Sequence, residues 1–304
     1  MGAARWVVAV LLVGTLVAAS PGGTVAGGPP PGGGTERGLC FAISAMVSPA
    51  RTYTDYHAFI RLLGKRLHQP VELKQRKTYE EVNELLRTGN ADCGLVCTGA
   101  FVHADRHFKE TVVAVPVMHG KETYRSYVIV RKERPYRSFA DLKGKVFAFT
   151  DELSNSGALY PTYLLAKRGE TPDDYFSYTF FTHSHDKSVE AVARGLADGA
   201  AVDSLVYDAL MAAGDPIVAA TRVVQRSPVF GIPPVVVSPK LPADHREKIA
   251  RALLTFADDA EGRAVLARLG IDRFARPPAH LYDSVREMES FVERFRRQHR
   301  AETE

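Results

Sequence analysis

The residues best able to do chemistry in this chain stand where apolar runs give way to polar, hydroxyl-rich residues. In FAFTDELSNSGALYP (147–161) a buried strand ends at Asp151, and Ser154, Asn155, Ser156 and Gly157 form a turn before a helix expected to begin near Ala158. A helix start leaves unpaired backbone N–H groups and a partial positive charge, so with two serine hydroxyls this turn can hold an anion. The same serines would equally serve as ordinary N-caps. In FFTHSHDKSVEAVARG a strand ends in His183, Ser184, His185 and Asp186 before another helix. An imidazole there can donate to an oxyanion, and open α/β sheets bind ligands at such strand ends. Two histidines one residue apart point opposite ways in extended chain, and His185 is the one selected. A metal site is not indicated, since His103, His107 and His119 lie far from ligand spacing.

Two further segments carry candidates. In GAAVDSLVYDAL, Asp203 ends a strand beside Ser204 and Tyr207. Its carboxylate can accept the proton of a protonated oxyanion or hold a ligand ammonium, favouring a protonated ligand over a fully ionised one. As the N-cap of the next helix it would have no ligand role. In ADCGLVCTGAFVH a strand runs into Cys97, Thr98 and Gly99, where Thr98 can offer donors to a cleft, and Tyr79 at the start of its helix is a second candidate. Cys97 is either an inert buried thiol or a ligand for a soft metalloid such as arsenic(III).

The elements that must position these residues alternate from Gly38 onward. CFAISAM reads as a buried strand, followed by Tyr56, Phe59, Ile60, Leu63 and Leu67 at helical spacing. VELKQR, ADCGLV, KVFAFT, YTFFTH and GAAVDS read as strands, and YEEVNELLRTG as a helix closed by Gly89. GALYPTYLLAKRG and DKSVEAVARGLADG continue the alternation, which implies an α/β fold with mainly parallel sheets. Ile249, Leu253 and Phe256, then Val285, Met288, Phe291, Val292 and Phe295, mark helices near the end.

Composition bounds the rest. The 304 residues suggest two domains or one two-lobed body, at roughly 150 residues per domain. With 45% hydrophobic and 24% charged residues, disorder, collagen and coiled coil are disfavoured. Thirty-nine basic against 35 acidic residues leave +4 with no dense basic stripe, so nucleic acid is not an expected partner, and RFRRQHR (294–300) reads as a solvated helix end. Arg5 followed by the apolar run Trp6 to Ala19 is too short to span a bilayer, which needs about 20 residues, and reads as a secretory signal; an uncleaved anchor is the alternative. Cys40 does not end that run, so no lipoprotein acylation is expected. In the oxidising compartment that export implies, Cys93 and Cys97 would lie about 13 Å apart along a strand, too far for a disulfide, leaving at least one free thiol.

Taken in order, YEEVNELLRTGNADCGLVCTG, TYRSYVIVRK, DELSNSGALYP, SHDKSVEAVARGLADGAAVDS and SPVFGIPP resemble the periplasmic phosphate/phosphite/phosphonate-binding proteins of ABC transporters, over about Gly38 to Val237. The resemblance implies the phosphonate-binding-protein-like branch of the type II periplasmic-binding fold: α/β, two lobes with mixed, mainly parallel sheets, and a ligand cleft between them. Residues 1–26 would be the signal peptide and 27–37 a Pro/Gly-rich linker. Lobe 1 would comprise 38–120 and 230–304 and lobe 2 121–229, joined by crossovers near 116–130 and 222–236. By the same resemblance Ser154, Asn155 and Ser156 would cradle the oxyanion, His185 would donate to it, Tyr79 would match a cleft tyrosine and Thr98 would lie in the opposing wall loop. Asp203 matches an acidic or amide position less closely. Cys97 and Thr98 stand where phosphonate binders often carry an aromatic, and Pro233 or Pro234 where some relatives hold an acid. The implied protein is exported to the periplasm, monomeric and free of cofactor, and closes over a small oxyanion (phosphate, phosphite or phosphonate) for an ABC permease. The alternative is a sensory relative that binds arsenite through a cysteine and signals to a membrane histidine kinase. Ser154 or Ser156 with His185 and Asp203 has the residue types of a hydrolytic triad, but no GxSxG elbow surrounds either serine, so an enzyme is not expected.

Overall fold

The run LCFAI folds as strand β1 (Leu39–Ile43), and its alternation sets the two faces of a sheet: Leu39, Phe41 and Ile43 enter one apolar cluster, Cys40 and Ala42 another. In this computed structural model the described residues are 38–303, so the expected signal (1–26) and linker (27–37) lie outside them. Gly38–Glu304 forms one compact unit.

After β1 the chain continues through α1 (Pro49–Leu67), β2 (Val71–Gln75), α2 (Tyr79–Thr88), β3 (Cys93–Leu95), α3 (Thr98–Phe108) and β4 (Thr111–Val117). It then passes β5 (Thr123–Tyr124), β6 (Ser126–Arg131), β7 (Val146–Phe149), a π-helical turn (Asn155–Leu159), α4 (Tyr160–Ala166), α5 (Pro172–Tyr175), β8 (Tyr178–Phe181) and α6 (His185–Ala193). Next come β9 (Gly199–Asp203), α7 (Ser204–Ala212), α8 (Pro216–Ala219) and β10 (Thr221–Arg226). The return runs through β11 (Phe230–Gly231) and β12 (Val235–Val237) to α9 (Ala243–Leu254), α10 (Ala260–Arg268), β13 (Arg273–Ala275) and α11 (Asp283–Thr303).

Two lobes result, each built on one mixed sheet. The first has the order β13-β4-β12-β3-β1-β2 and the second β10-β6-β9-β7-β8. β1 pairs in parallel with β2 and β3, and β7 with β8 and β9. The expected parallel majority is not reached. β6 and β12 bring the chain into each sheet from the other one and run against their neighbours; lying inside the sheets, each makes two antiparallel pairs. Between the sheets β5 and β11 form a two-residue antiparallel ribbon, with Tyr124 opposite Phe230 and Thr123 opposite Gly231.

Each sheet is covered on both faces. In the second, Val128, Val130, Phe147 and Phe149 pack with Leu165 and Tyr175, while Ile129, Ala148, Ala200 and Val202 pack with Val189, Val192 and Leu210. At about 1.5–3 kcal/mol for each large buried side chain, these cores hold the strand ends in place. The helix starts are set by local chemistry as well. At α2, Thr78 Oγ1 accepts from Glu81 N at 3.2 Å and Glu81 Oε2 accepts from Thr78 N at 2.9 Å, a reciprocal cap that fixes Tyr79 as the first helical residue; Gly89, at φ 74°, closes the other end.

Candidate functional site

The turn after β7 uses its two serines differently. Ser154 is the N-cap: its Oγ accepts from Gly157 N at 3.0 Å, and its carbonyl takes the N–H groups of Ala158 and Leu159 at 3.0 and 2.9 Å. Ser156 Oγ has no hydrogen-bond partner in the protein, while the Ser156 carbonyl accepts from Ser126 Oγ at 2.7 Å. Asn155 Nδ2 donates to Tyr124 OH at 2.9 Å and its Oδ1 is unpartnered. All three side chains are fully buried. The α-helix begins at Tyr160 rather than near Ala158. Pro161 has no N–H to give Gly157 O, which accepts from Thr150 N instead, and Tyr160 N–H reaches back to Asn155 O, leaving a π-turn.

His185 is the first residue of α6 and is fully buried. Its Nδ1 accepts the Asp203 backbone N–H at 3.2 Å and lies 3.1 Å from Thr150 Oγ1. An amide can only donate, so the proton of the neutral ring sits on Nε2. Burial pushes the imidazole pKa down to about 3, which keeps the ring neutral, and Nε2 has no partner in the protein. His183, at φ 62°, sits instead beside Asp151.

Asp203 meets His185 through its backbone, and its carboxylate caps α7 by accepting from Leu205 N at 2.7 Å. The acid orientation of a Ser-His-Asp triad is therefore not made. Burial raises the Asp203 carboxyl to about 7 against the lowering pull of the Leu205 and Val206 amides, and no lysine or arginine is among the groups that shift Asp203 or His185. Burial pushes up Tyr79, Cys97 and Tyr124, and the Asp203 charge adds to each shift, so Asp203 lies near all three.

The wall from the first lobe is made of helix starts. Tyr79 is buried with its hydroxyl unpartnered, and its backbone N–H crosses between lobes to Asp151 Oδ2 at 3.1 Å. β3 ends at Leu95, so Cys97 is the N-cap of α3 rather than part of the strand. Burial pushes the thiol up to about 11 against the lowering pull of the nearby Asn155 and Gly99 amides, and the side chain makes no cap hydrogen bond to α3. Cys40, Cys93 and Cys97 are all free and buried. Thr98 opens α3 instead of lying in a loop, and its Oγ1 donates to Gly231 O at 2.8 Å, committing that proton to β11.

The structure thus brings together Tyr79, Cys97, Thr98, Ser154, Asn155, Ser156, His185 and Asp203, each at most 2% exposed. Sequence reasoning did not select Ser44, Tyr124, Asp151 or Ser184 as site residues, although it placed Asp151 and Ser184 at strand ends. Ser44 follows a parallel strand and Tyr124 lies in a run already read as crossing between lobes, so their positions were available as signals. Ser44 Oγ, Tyr79 OH, Asn155 Oδ1, Ser156 Oγ, Ser184 Oγ and His185 Nε2 are buried without protein partners. Leaving such an atom unpaired costs about 1–3 kcal/mol, so the cluster is suited to a small polar guest. Among the described residues there is no group of three or more metal-ligating side chains.

Residues 41–282 match the family model described as "ABC transporter, phosphonate, periplasmic substrate-binding protein". The chain is 30% identical over 196 residues to the phosphate-import protein PhnD of Mycolicibacterium smegmatis, covering 60% of this chain and 61% of that relative, and so spans under two thirds of its length. It is 24% identical over 240 residues to the phosphonates-binding periplasmic protein of Escherichia coli, covering 77% and 71%. In structure it is similar to a binding protein component of an ABC phosphonate transporter from Pseudomonas aeruginosa, with TM-score 0.79, 22% identity and coverage of 84% and 87%. PhnD1 from Prochlorococcus marinus in complex with methylphosphonate gives TM-score 0.76, 18% identity and coverage of 84% and 98%.

Proposed function

We propose, from the premise that this chain belongs to the family of periplasmic substrate-binding proteins of phosphonate ABC transporters, that it captures one small phosphorus oxyanion between its lobes and delivers it to an ABC permease. The observation that carries this reading is the cluster of buried, unpartnered polar atoms at the facing helix starts, with a neutral imidazole in place of a cation. Ser156 Oγ, Tyr79 OH and His185 Nε2–H donate to the oxyanion. Ser154 and Asn155 shape the turn, and Thr98 braces the opposing wall against β11. Asp203 takes up a proton on the ligand, as its raised pKa supports.

Lobe 1 (38–120 and 230–304) and lobe 2 (121–229) move as bodies about the β5–β11 ribbon, and the oxyanion favours the closed arrangement because only there do both lobes supply donors. The protein acts as an exported monomer in the periplasm and carries out no catalysis. Cys97, buried and held protonated by that burial, serves as a structural thiol in this reading.

A thermal-shift panel of phosphate, phosphite, methylphosphonate, 2-aminoethylphosphonate, sulfate and arsenite tests it. A ligand at 100 times its dissociation constant adds about 2.7 kcal/mol of stability. A shift with a phosphorus oxyanion supports the reading and names the cargo. A shift with arsenite alone, lost in Cys97→Ser, replaces it with the kinase-linked sensor, and no shift with any of the six refutes it.

A further inference from the structure

The segment Met46–Arg51 of the first lobe grips the first turn of α6 in the second. Met46 O accepts the His185 backbone N–H at 3.0 Å, and Asp186 Oδ1 accepts Ser48 N–H at 3.0 Å. Arg51 Nε lies 3.9 Å from Asp186 Oδ2, and Arg51 Nη2 donates to Asp215 Oδ2 at 2.9 Å. Asp215 is itself fixed, since its Oδ1 caps α8 through Ile217 N at 2.9 Å. The two carboxylate side chains are 13% and 14% exposed and the arginine 47%, so one hydrated cation spans two acids of the second lobe, of which Asp215 is fixed by its own helix.

We propose that Met46–Arg51 is a closure latch, and that Arg51 is a positioning residue which keeps His185 Nε2 turned into the chamber without touching the ligand. The Met46 contact is backbone to backbone and the Ser48 contact uses its backbone N–H, so both survive a change of the Arg51 side chain, whereas the Arg51 contact is chemically specific. Asp186, which Arg51 and Ser48 hold together, is the next residue after His185, so pinning it fixes the helix start that carries the imidazole. The contact exists only when the lobes meet, so its free energy bears on how long the closed form lasts and leaves first encounter with the anion unchanged.

The inference rests on the oxyanion reading above, and kinetics on the full protein separate the two. Association and dissociation rates are measured with inorganic phosphate and with methylphosphonate for the parent, Arg51→Ala and Arg51→Lys. Arg51→Ala is expected to release the probe about fivefold faster with an unchanged association rate, as partly exposed ion pairs allow, and Arg51→Lys to recover part of the loss. In 1 M salt, where screening reaches about 3 Å, parent and Arg51→Ala converge. Parental dissociation in Arg51→Ala overturns the latch and leaves the oxyanion reading standing. A slower association with unchanged dissociation also overturns it, because Arg51 would then be attracting the anion from solution. A parent that binds neither these probes nor phosphite nor 2-aminoethylphosphonate overturns both.

Discussion

Ser154 and Ser156 lie two residues apart on one turn, and their single alanine variants are expected to separate folding from binding. Ser156 Oγ makes no bond within the protein, so Ser156→Ala removes an unsatisfied buried hydroxyl and leaves stability unchanged or slightly higher. Its bond to a charged ligand is worth about 1.5–3 kcal/mol, which at about 1.4 kcal/mol per decade weakens binding roughly 10- to 150-fold. Ser154→Ala instead loses the cap on Gly157 N. An N-cap is worth about 1 kcal/mol, so the ligand-free melting temperature should fall by roughly 2–4 °C, with a smaller change in affinity. Calorimetric titration with phosphate and methylphosphonate, beside thermal denaturation without ligand, reads both quantities. If Ser156→Ala melts lower and binds like the parent, the assignment of roles on this turn is wrong.

Two further outcomes follow from packing and charge. A Cβ at Gly99 would lie 2.4 Å from Leu153 O and 2.7 Å from Asn155 N, both backbone atoms of the opposite lobe. Gly99→Ala should therefore hold the lobes apart, costing about 1–3 kcal/mol in titrated affinity with ligand-free melting near the parent's; parental affinity would show that the lobes need not meet there. For Asp203, raised from an unfolded value near 3.9 to about 7, the protonated form is the one the fold favours. Its contribution is full below pH 4 and lost as pH rises through 7, so above that pH the carboxylate costs the folded protein roughly 4 kcal/mol. Asp203→Asn keeps an oxygen for the Leu205 cap and should be more stable than the parent at pH 8, a difference that closes toward pH 4 in denaturant titrations. With a permanently singly charged phosphonate monoester the parent should lose affinity above pH 7 while Asp203→Asn stays flat. A parental profile independent of pH would remove Asp203 from the site.

The fold was largely legible because its signals are local. Alternation in LCFAI and punctuation by Gly89 need no knowledge of the rest of the chain, and the end of β9 at Asp203 could be placed the same way, while β8 stops at Phe181, four residues short of His185, which opens α6 instead of ending the strand. The parallel share was overstated because the directions of β6 and β12 depend on which sheet each strand enters, a tertiary fact. At the site, residue type identified the participants and not their tasks. Two serines of identical chemistry differ in use because one lies within reach of Gly157 N. Thr98 has the hydroxyl the sequence promised, but a carbonyl 133 positions away in the chain claims its proton. Asp151 and Tyr124 were given no role because what each does is decided by a partner in a distant segment.

The carboxylate of Asp151 on the first amide of α2 is, in effect, a built-in anion. Of the helix starts that meet at the chamber, one arrives already neutralised by a group the protein carries itself, so α2 lends its tyrosine hydroxyl while its leading amide is withheld. The number of negative groups a guest can bring is lowered accordingly. In the oxyanion reading proposed above, a guest with one anionic head is the one expected, since a second head, as in a diphosphate, would have to displace a tethered carboxylate that never diffuses away.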